Sequence, residues 1–336
     1  MKSNVWRVFV TLHLISLLSL GVASCGGGSN GSGGISGGGQ GGPSAGEYLW
    51  EFSLNDERLF FSTVNSSTGQ LETPTPSGGD ACNSLGTIPS IAVSPLNKFV
   101  FVIDKCFTGI HVYSINGPGV ALVEIVGSPY GLPGALDSLA IDPSGKFLYA
   151  VGFAPGAVYQ MSVNGSTGEL TLLSTTMETA DLRQVVADPN GKFIFVNDLT
   201  GGHIFAYLIG GGSSLSAVPG SPFVVPANGQ PIGLTMASTG NFLYAPLISG
   251  GIAGFAVDSS TGALSDIAGS PFVTTDQPYA LAADSSGKFL YAIDSNLSDA
   301  IEGFSIDADT GGLTATMRSF TAPATSSIGT LGSTRC

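Results

Sequence analysis

The feature that most constrains this chain is a segment that recurs five times. The copies are IAVSPLNKFVFVID (91–104), LAIDPSGKFLYAVG (139–152), VVADPNGKFIFVND (185–198), LTMASTGNFLYAPL (234–247) and LAADSSGKFLYAID (281–294). Their turn-following phenylalanines, Phe99, Phe147, Phe193, Phe242 and Phe289, stand 48, 46, 49 and 47 residues apart. Ser-Thr-Gly recurs at 67–69, 166–168 and 260–262, with Asp309-Thr310-Gly311 as a variant. Gly-Ser-Pro-aromatic recurs at 127–130, 220–223 and 269–272. Three independent markers sharing one period identify an internal repeat, which has to be read before any single segment.

Each repeat reads as four short strands. In the third, Ser138–Asp142 is an inner strand A, and Pro143-Ser144-Gly145 turns the chain, since proline pre-sets φ and glycine tolerates positive φ. Phe147–Gly152 is strand B, with the aromatic and β-branched residues that suit a packed pleat. Ala157–Val163 is strand C, Ser166-Thr167-Gly168 turns it back, and Leu170–Ser174 is the outer strand D. Four strands in 40–50 residues are the signature of a β-propeller blade. A β-sandwich also has short strands and turns, but it does not repeat its turn sequences at a fixed period. The fold class is therefore all-β, a β-propeller. Tyr48–Pro74 supplies strands B, C and D without an A strand. Ser327–Ser333 aligns with the A strand of 280–286, so it is expected to complete the first blade, close the ring and hide two edges. The count is then six blades, and aromatics such as Tyr149, Phe195, Tyr244 and Tyr291 pack between them.

The chain divides into 1–24, 25–46 and 47–336. Lys2 and Arg7 precede an apolar stretch, Val8–Val22, which is too short to span a bilayer and has the layout of a secretory signal. It ends in Val22-Ala23-Ser24-Cys25, which resembles a bacterial lipobox. Cys25 is thus the expected lipidation site, and several acyl chains on one cysteine exceed what stable anchoring needs. By resemblance to lipoprotein sorting rules, Gly26 rather than Asp at the next position implies an outer-membrane lipoprotein, periplasmic or surface-facing. Residues 26–46 contain 12 glycines and no charge. They form a flexible tether reaching roughly 25 Å. The lipid is the expected contact with the membrane, because a processed chain of about −15 is disfavoured on anionic lipid.

Composition narrows the function. Eleven Lys and Arg face 24 Asp and Glu, a formal charge of −13, and only 10% of residues are charged. No basic surface can be assembled for nucleic acid. No zincin helix, P-loop, Cys-x-x-Cys or EF-hand run is present, so neither a metal nor a cofactor is expected. Asp307-Ala308-Asp309 sits in a C–D turn and lacks further calcium ligands. Ser285-Ser286-Gly287-Lys288 matches a Ser-x-x-Lys pattern but is an A–B turn.

Strand alternation places the D–A and B–C loops on one face, where loops differ between repeats and a rigid scaffold carries binding. The ligand expected there is a protein, glycan or small molecule, bound by a monomer. Polar residues of that face are Asp104, Asp137, Asp181, Arg183, Asp198, His203, Asp276 and Asp294. Cys82 and Cys106 fall in loops of the same face of one blade, and export would allow a disulfide worth about 3 kcal/mol. Cys336 has no evident partner.

The repeat form DPSGKFLYA followed by FSIDADTGGL resembles the lactonase-type propellers, which include 6-phosphogluconolactonases, and related YVTN-repeat propellers. In those enzymes one blade carries Pro-Arg-His at the start of strand A and Asn-Glu-Leu at the end of strand B. The matching positions here are Leu182-Arg183-Gln184 and Asn197-Asp198-Leu199. The resemblance implies Arg183 as the cation for a developing oxyanion, Asp198 as a base and His203 as a nearby imidazole. The departures are as informative. Gln184 replaces the histidine, the preceding blade has Asp137-Ser138 and Gly152-Phe153-Ala154 in place of a histidine and an Asp-Leu-Gly run, and the family usually has seven blades. The expected function is therefore a membrane-anchored binding or scaffold module outside the cytoplasm, with hydrolysis of a sugar lactone as the alternative.

Replacing Cys25 removes the only acylation site of the lipobox. Cys25→Ser is expected to move the protein from the membrane to the soluble fraction and to abolish labelling by a radioactive fatty acid. Unchanged membrane fractionation and labelling would refute the lipoprotein assignment.

Overall fold

The computed structural model describes residues 22–24, 47–53, 58–64, 75–80, 90–96, 98–104, 109–115, 122–154, 156–209, 215–294, 301–319 and 333–335. Their strands form six antiparallel sheets and one parallel pair. The sheets follow one another along the chain as blades 1 to 6, and in each of the last five the strands run A to D in sequence order. Blade 3 is the most regular, with Ala135–Ile141, Phe147–Ala154, Gly156–Val163 and Leu170–Met177. Every strand there is longer than expected, because the ladders continue up to three residues past the repeated core. Blade 1 comprises Glu47–Ser53, Arg58–Val64 and Thr75–Asp80, the last lying just beyond the expected segment. The proposed closing strand lies outside the described residues up to Ser333. Ser333–Arg335 pairs in parallel with Val22–Ser24. Cys25, Cys82, Cys106 and Cys336 lie outside the described residues, so the lipidation and disulfide expectations do too.

Burial is greatest in the middle of a blade and falls toward the outer strand, while the innermost strands of blades 3 and 4 are only partly buried. Strand B of blade 4, Phe193–Asp198, is buried at every residue. Its two faces serve two neighbours. Phe193 and Phe195 pack with Leu243, Ala245 and Phe255 of blade 5. Ile194 and Val196 pack with Tyr149, Val151 and Val158 of blade 3. No blade can bury both faces alone, so the strands read as near-continuous apolar runs rather than as an alternating pattern. The outer strand of blade 3, by contrast, is mostly exposed.

The three markers of the repeat have distinct structural reasons. The first is the A–B turn, held by one side chain. Asp142 Oδ1 accepts from the N–H groups of Lys146 and Phe147, and Oδ2 from Ser144 N–H. Asp284 does the same for Ser286, Lys288 and Phe289. Partial burial opposes the Asp284 charge, but these donors more than offset it and its pKa falls below the ordinary carboxylate value. In blade 2 the hydroxyl of Ser94 replaces the carboxylate, accepting from Lys98 and Phe99 N–H at 3.0 Å each.

The second marker, Ser-Thr-Gly, meets the repeated phenylalanine of the preceding blade. Gly168, Gly262 and Gly311 have φ of +78°, +76° and +73°. A Cβ on them would stand 2.6, 2.5 and 2.4 Å from the rings of Phe99, Phe193 and Phe242. Glycine is required here both for the left-handed backbone and for the close ring contact. The third marker interrupts strand D. The Oγ atoms of Ser128, Ser221 and Ser270 accept from the N–H groups of Val112, Ala206 and Gly254 on strand C.

Gly262→Ala is expected to destabilise the protein by about 3 kcal/mol, through backbone strain and displacement of Phe193. Gly165, where a Cβ meets nothing within 4 Å, should tolerate alanine within about 0.5 kcal/mol. Urea unfolding of the two variants checks the contrast.

Candidate functional site

Three of the described inner strands, those of blades 3, 4 and 6, break register at a corresponding place, whereas those of blades 2 and 5 pair without a break. Pairing skips Asp137 in blade 3, between Leu136↔Gly152 and Ser138↔Val151. It skips Arg183 and Gln184 in blade 4, between Leu182↔Asp198 and Val185↔Val196. It skips Tyr279 in blade 6, between Pro278↔Asp294 and Ala280↔Ile293. A bulge leaves its residue out of the ladder and re-aims the side chain. Three blades thus release an Asp, an Arg and a Tyr at the same level of the D–A face.

Arg183 does not project freely. Its Nη1 lies 3.1 Å from Asp137 Oδ2, its Nε 2.8 Å from Asp181 Oδ1 and its Nη2 3.1 Å from Asp181 Oδ2. Its guanidinium carbon sits 4.8 Å from the ring centroid of Phe153. Burial opposes its charge, but the Asp181 and Asp137 carboxylates outweigh that and raise its pKa above the ordinary arginine value. Both Asp181 oxygens approach the guanidinium, but only the Nη2–Oδ2 contact has hydrogen-bond geometry, and the buried Nε has no hydrogen-bond partner among the described residues.

Asp198 is buried, with 5% of its surface exposed. Its Oδ1 accepts from Asp181 N–H and Gly201 N–H, each at 3.1 Å. Its Oδ2 lies 3.7 Å from Nδ1 of His203, the residue opposite it in the B–C ladder. A Cβ at Gly201 would stand 2.0 Å from that Oδ2, so the loop needs glycine to approach the carboxylate. The three predicted residues therefore fall into two groups. Asp198 and His203 adjoin directly. Arg183 faces blade 3 and connects to Asp198 only through Asp181.

Gln184 and Asn197 have a different task. Gln184 Oε1 accepts from Leu234 N–H at 2.8 Å. Asn197 Oδ1 accepts from Gln184 N–H at 2.7 Å, and its Nδ2 donates to Pro231 O at 2.7 Å. Asn197 is fully buried and Leu234 nearly so. This pair fastens blade 4 to blade 5. The positions that match the enzyme histidine and asparagine are thus occupied by a joint between blades.

Two residues of the site were not singled out for these roles by sequence. The Asp181 clamp and the Phe153 platform both depend on the bulge at Arg183. Asp104 and Asp294 end strand B of blades 2 and 6. Asp276 lines a separate groove of about 460 Å³ with Ile248, Gly251, Phe272, Val273 and Gln277. Asp307 Oδ1 accepts from Asp309 and Thr310 N–H, so it serves its turn. Among the described residues, no group of three or more His, Cys, Asp and Glu is placed to hold a metal ion.

Residues 225–329 match the family described as lactonase, 7-bladed beta-propeller. No curated protein matches the chain. Among solved structures, the chain is similar to a putative 6-phosphogluconolactonase from Bacteroides fragilis, at 21% identity over 83% of each chain with a TM-score of 0.64. It is also similar to a periplasmic gluconolactonase from Pseudomonas aeruginosa, at 18% identity over 81% of this chain and 82% of that one, with a TM-score of 0.61. A protein from Lactobacillus plantarum gives 19% identity over 84% of each chain and a TM-score of 0.67. These structural likenesses are likenesses of fold. With the family match, they bear out the lactonase-type propeller reading of the repeats.

Gln184→Ala leaves the buried Leu234 N–H without its partner and is expected to cost about 1–3 kcal/mol in urea unfolding. Asn197→Ala should cost a similar amount. The double variant should lose less than the sum, because both side chains hold the same joint.

Proposed function

We propose that this lactonase-type propeller is a binding module held outside the cytoplasm by a lipid on Cys25, and that its ligand face is the one formed by the D–A and B–C loops. The observation that carries the non-catalytic part of this reading is the engagement of Arg183. Oxyanion stabilisation needs donors aimed at the place where charge develops. Both edges of this guanidinium already face carboxylates, and one of its faces lies on Phe153. Withdrawing it toward a substrate would leave Asp137 and Asp181 without their cation, a costly exchange at a half-buried site. Asp198 supports the same view, since two N–H donors hold one of its oxygens in place. The surroundings are also net acidic, which disfavours a phosphorylated sugar.

Lactone hydrolysis is the second reading. It is supported by the family match over 225–329 and by the 3.7 Å approach of His203 to Asp198, a pair that would pass a proton once closed to hydrogen-bond distance. Mature protein in detergent, followed by pH-stat with glucono-1,5-lactone and 6-phosphogluconolactone, separates the two. The expected rate equals spontaneous hydrolysis. Turnover above that level, lost about a hundredfold or more in Arg183→Ala with the fold intact by circular dichroism, would establish the hydrolase.

A further inference from the structure

The blades differ most in how their outer edges are protected. A strand at the edge of a sheet presents unpaired N–H and C=O groups, and proteins blunt such edges with proline, glycine, charge or interruption. Blade 1 ends on Thr75–Asp80, which contains Pro76, Gly78 and Gly79. Blades 2, 4 and 5 cut strand D short with the Gly-Ser-Pro turn, leaving outer strands Val123–Glu124, Ser216–Ala217 and Leu264–Asp266. Blade 6 ends on Leu313–Ser319, which carries Arg318. Blade 3 uses neither proline, glycine, truncation nor a charge within the strand; its one irregularity is a bulge at Leu173. Its outer strand, Leu170–Met177, is eight residues long with no charge, proline or glycine. Leu172 and Met177 are 47% and 57% exposed.

We propose that this edge receives an extended segment of a partner protein as a fifth strand, uncharged along its middle and cationic at each end. The composition LTLLSTTM favours strand pairing, and main-chain hydrogen bonds supply the affinity in this mode of recognition. Charge selects the partner. Glu169 and Glu178 bracket the strand, and Glu178 is held in place by the Tyr207 hydroxyl at 2.6 Å. A second copy is disfavoured. Full antiparallel overlap would set Glu169 against Glu178 of the other copy, and parallel overlap would set each glutamate against itself. A segment with Lys or Arg at its ends meets both carboxylates with opposite charge.

The register shows which amides are free to pair. Glu178 N–H donates to Gly156 O on strand C, and Thr176 and Ser174 lie opposite Val158 and Gln160. Antiparallel alternation therefore turns the N–H groups of Thr175 and Met177 away from strand C. Proline at 175 removes an outward donor while leaving the ladder to strand C intact. This rim surface is separate from the loop face of the proposed ligand site, so the two readings stand or fall independently.

The test uses the mature lipoprotein in detergent and a capped nine-residue peptide of alternating Thr and Val with Lys at each end. Fluorescence anisotropy should show saturable binding with a Kd on the order of 100 µM. Hydrogen exchange should slow across 170–177. Thr175→Pro should weaken binding about tenfold or more. Leu172→Lys, an exposed substitution that leaves the backbone unchanged, should weaken it in the same direction. Glu169→Lys should weaken the Lys-ended peptide about threefold and favour a Glu-ended one. Three results would each overturn the proposal. One is the absence of saturable binding up to about 2 mM peptide. Another is affinity unchanged in both Thr175→Pro and Leu172→Lys. The third is self-association of the wild type, seen by sedimentation velocity and lost in Thr175→Pro, which would give the edge to a second copy.

Discussion

The structure depends on one recurring hydrogen bond between neighbouring inner strands. An inner strand has a ladder partner on one side only, so part of its other edge must be satisfied from the adjacent blade. Ser90 Oγ accepts from Leu139 N–H, Ser138 Oγ from Val185 N–H, and Gln184 Oε1 from Leu234 N–H. Each side chain stands one residue before a buried aliphatic residue of its strand, Ile91, Leu139 or Val185. The next blade has Gly233 at that position, where a Cβ would stand 2.6 Å from Gln184 Oε1. Thr235 compensates by donating its hydroxyl to Leu281 O at 2.8 Å. The glutamine reaches farther than serine, so its neighbour must be glycine, and the bond must be made in another way one blade on.

That joint also bears on chemistry. In the enzymes this chain resembles, the position of Gln184 holds a histidine. Here it holds a neutral amide whose oxygen is committed to the backbone of blade 5. Asn197, buried beneath it, carries the connection on to Pro231. Arg183, one residue earlier, is turned the other way by the bulge and joins blade 4 to Asp137 of blade 3. Consecutive residues of one strand thus hold the blade to both neighbours.

The fold was legible because its determinants are local and repeated. Four of the five A–B turns carry an aspartate or serine, blade 5 having Ala237 instead, and the described C–D turns carry a glycine, so each leaves its mark in the copies that use it. What those markers touch was not legible. Phe99 meets Gly168, Phe193 meets Gly262 and Phe242 meets Gly311, each pair 69 residues apart and in different blades. The site was less legible still. A bulge changes neither composition nor hydrophobic pattern, yet it decides that Arg183 lies against Phe153 and between two carboxylates. The alignment of Arg183, Asp198 and His203 located the neighbourhood, but chain order could not reveal that Asp181 stands between the first and the second.

The Phe–Gly contacts have a consequence for how such a ring can change over time. Each one spans a single boundary between adjacent blades, and so do the hydrogen bonds of the inner strands. A duplication or deletion of one whole repeat therefore disturbs only the boundaries next to it, and where those carry the Phe–Gly contact the same ring can rest on the same type of glycine. Stability of this kind is roughly a sum over neighbours and is indifferent to their number. Only the closing of the circle registers the total.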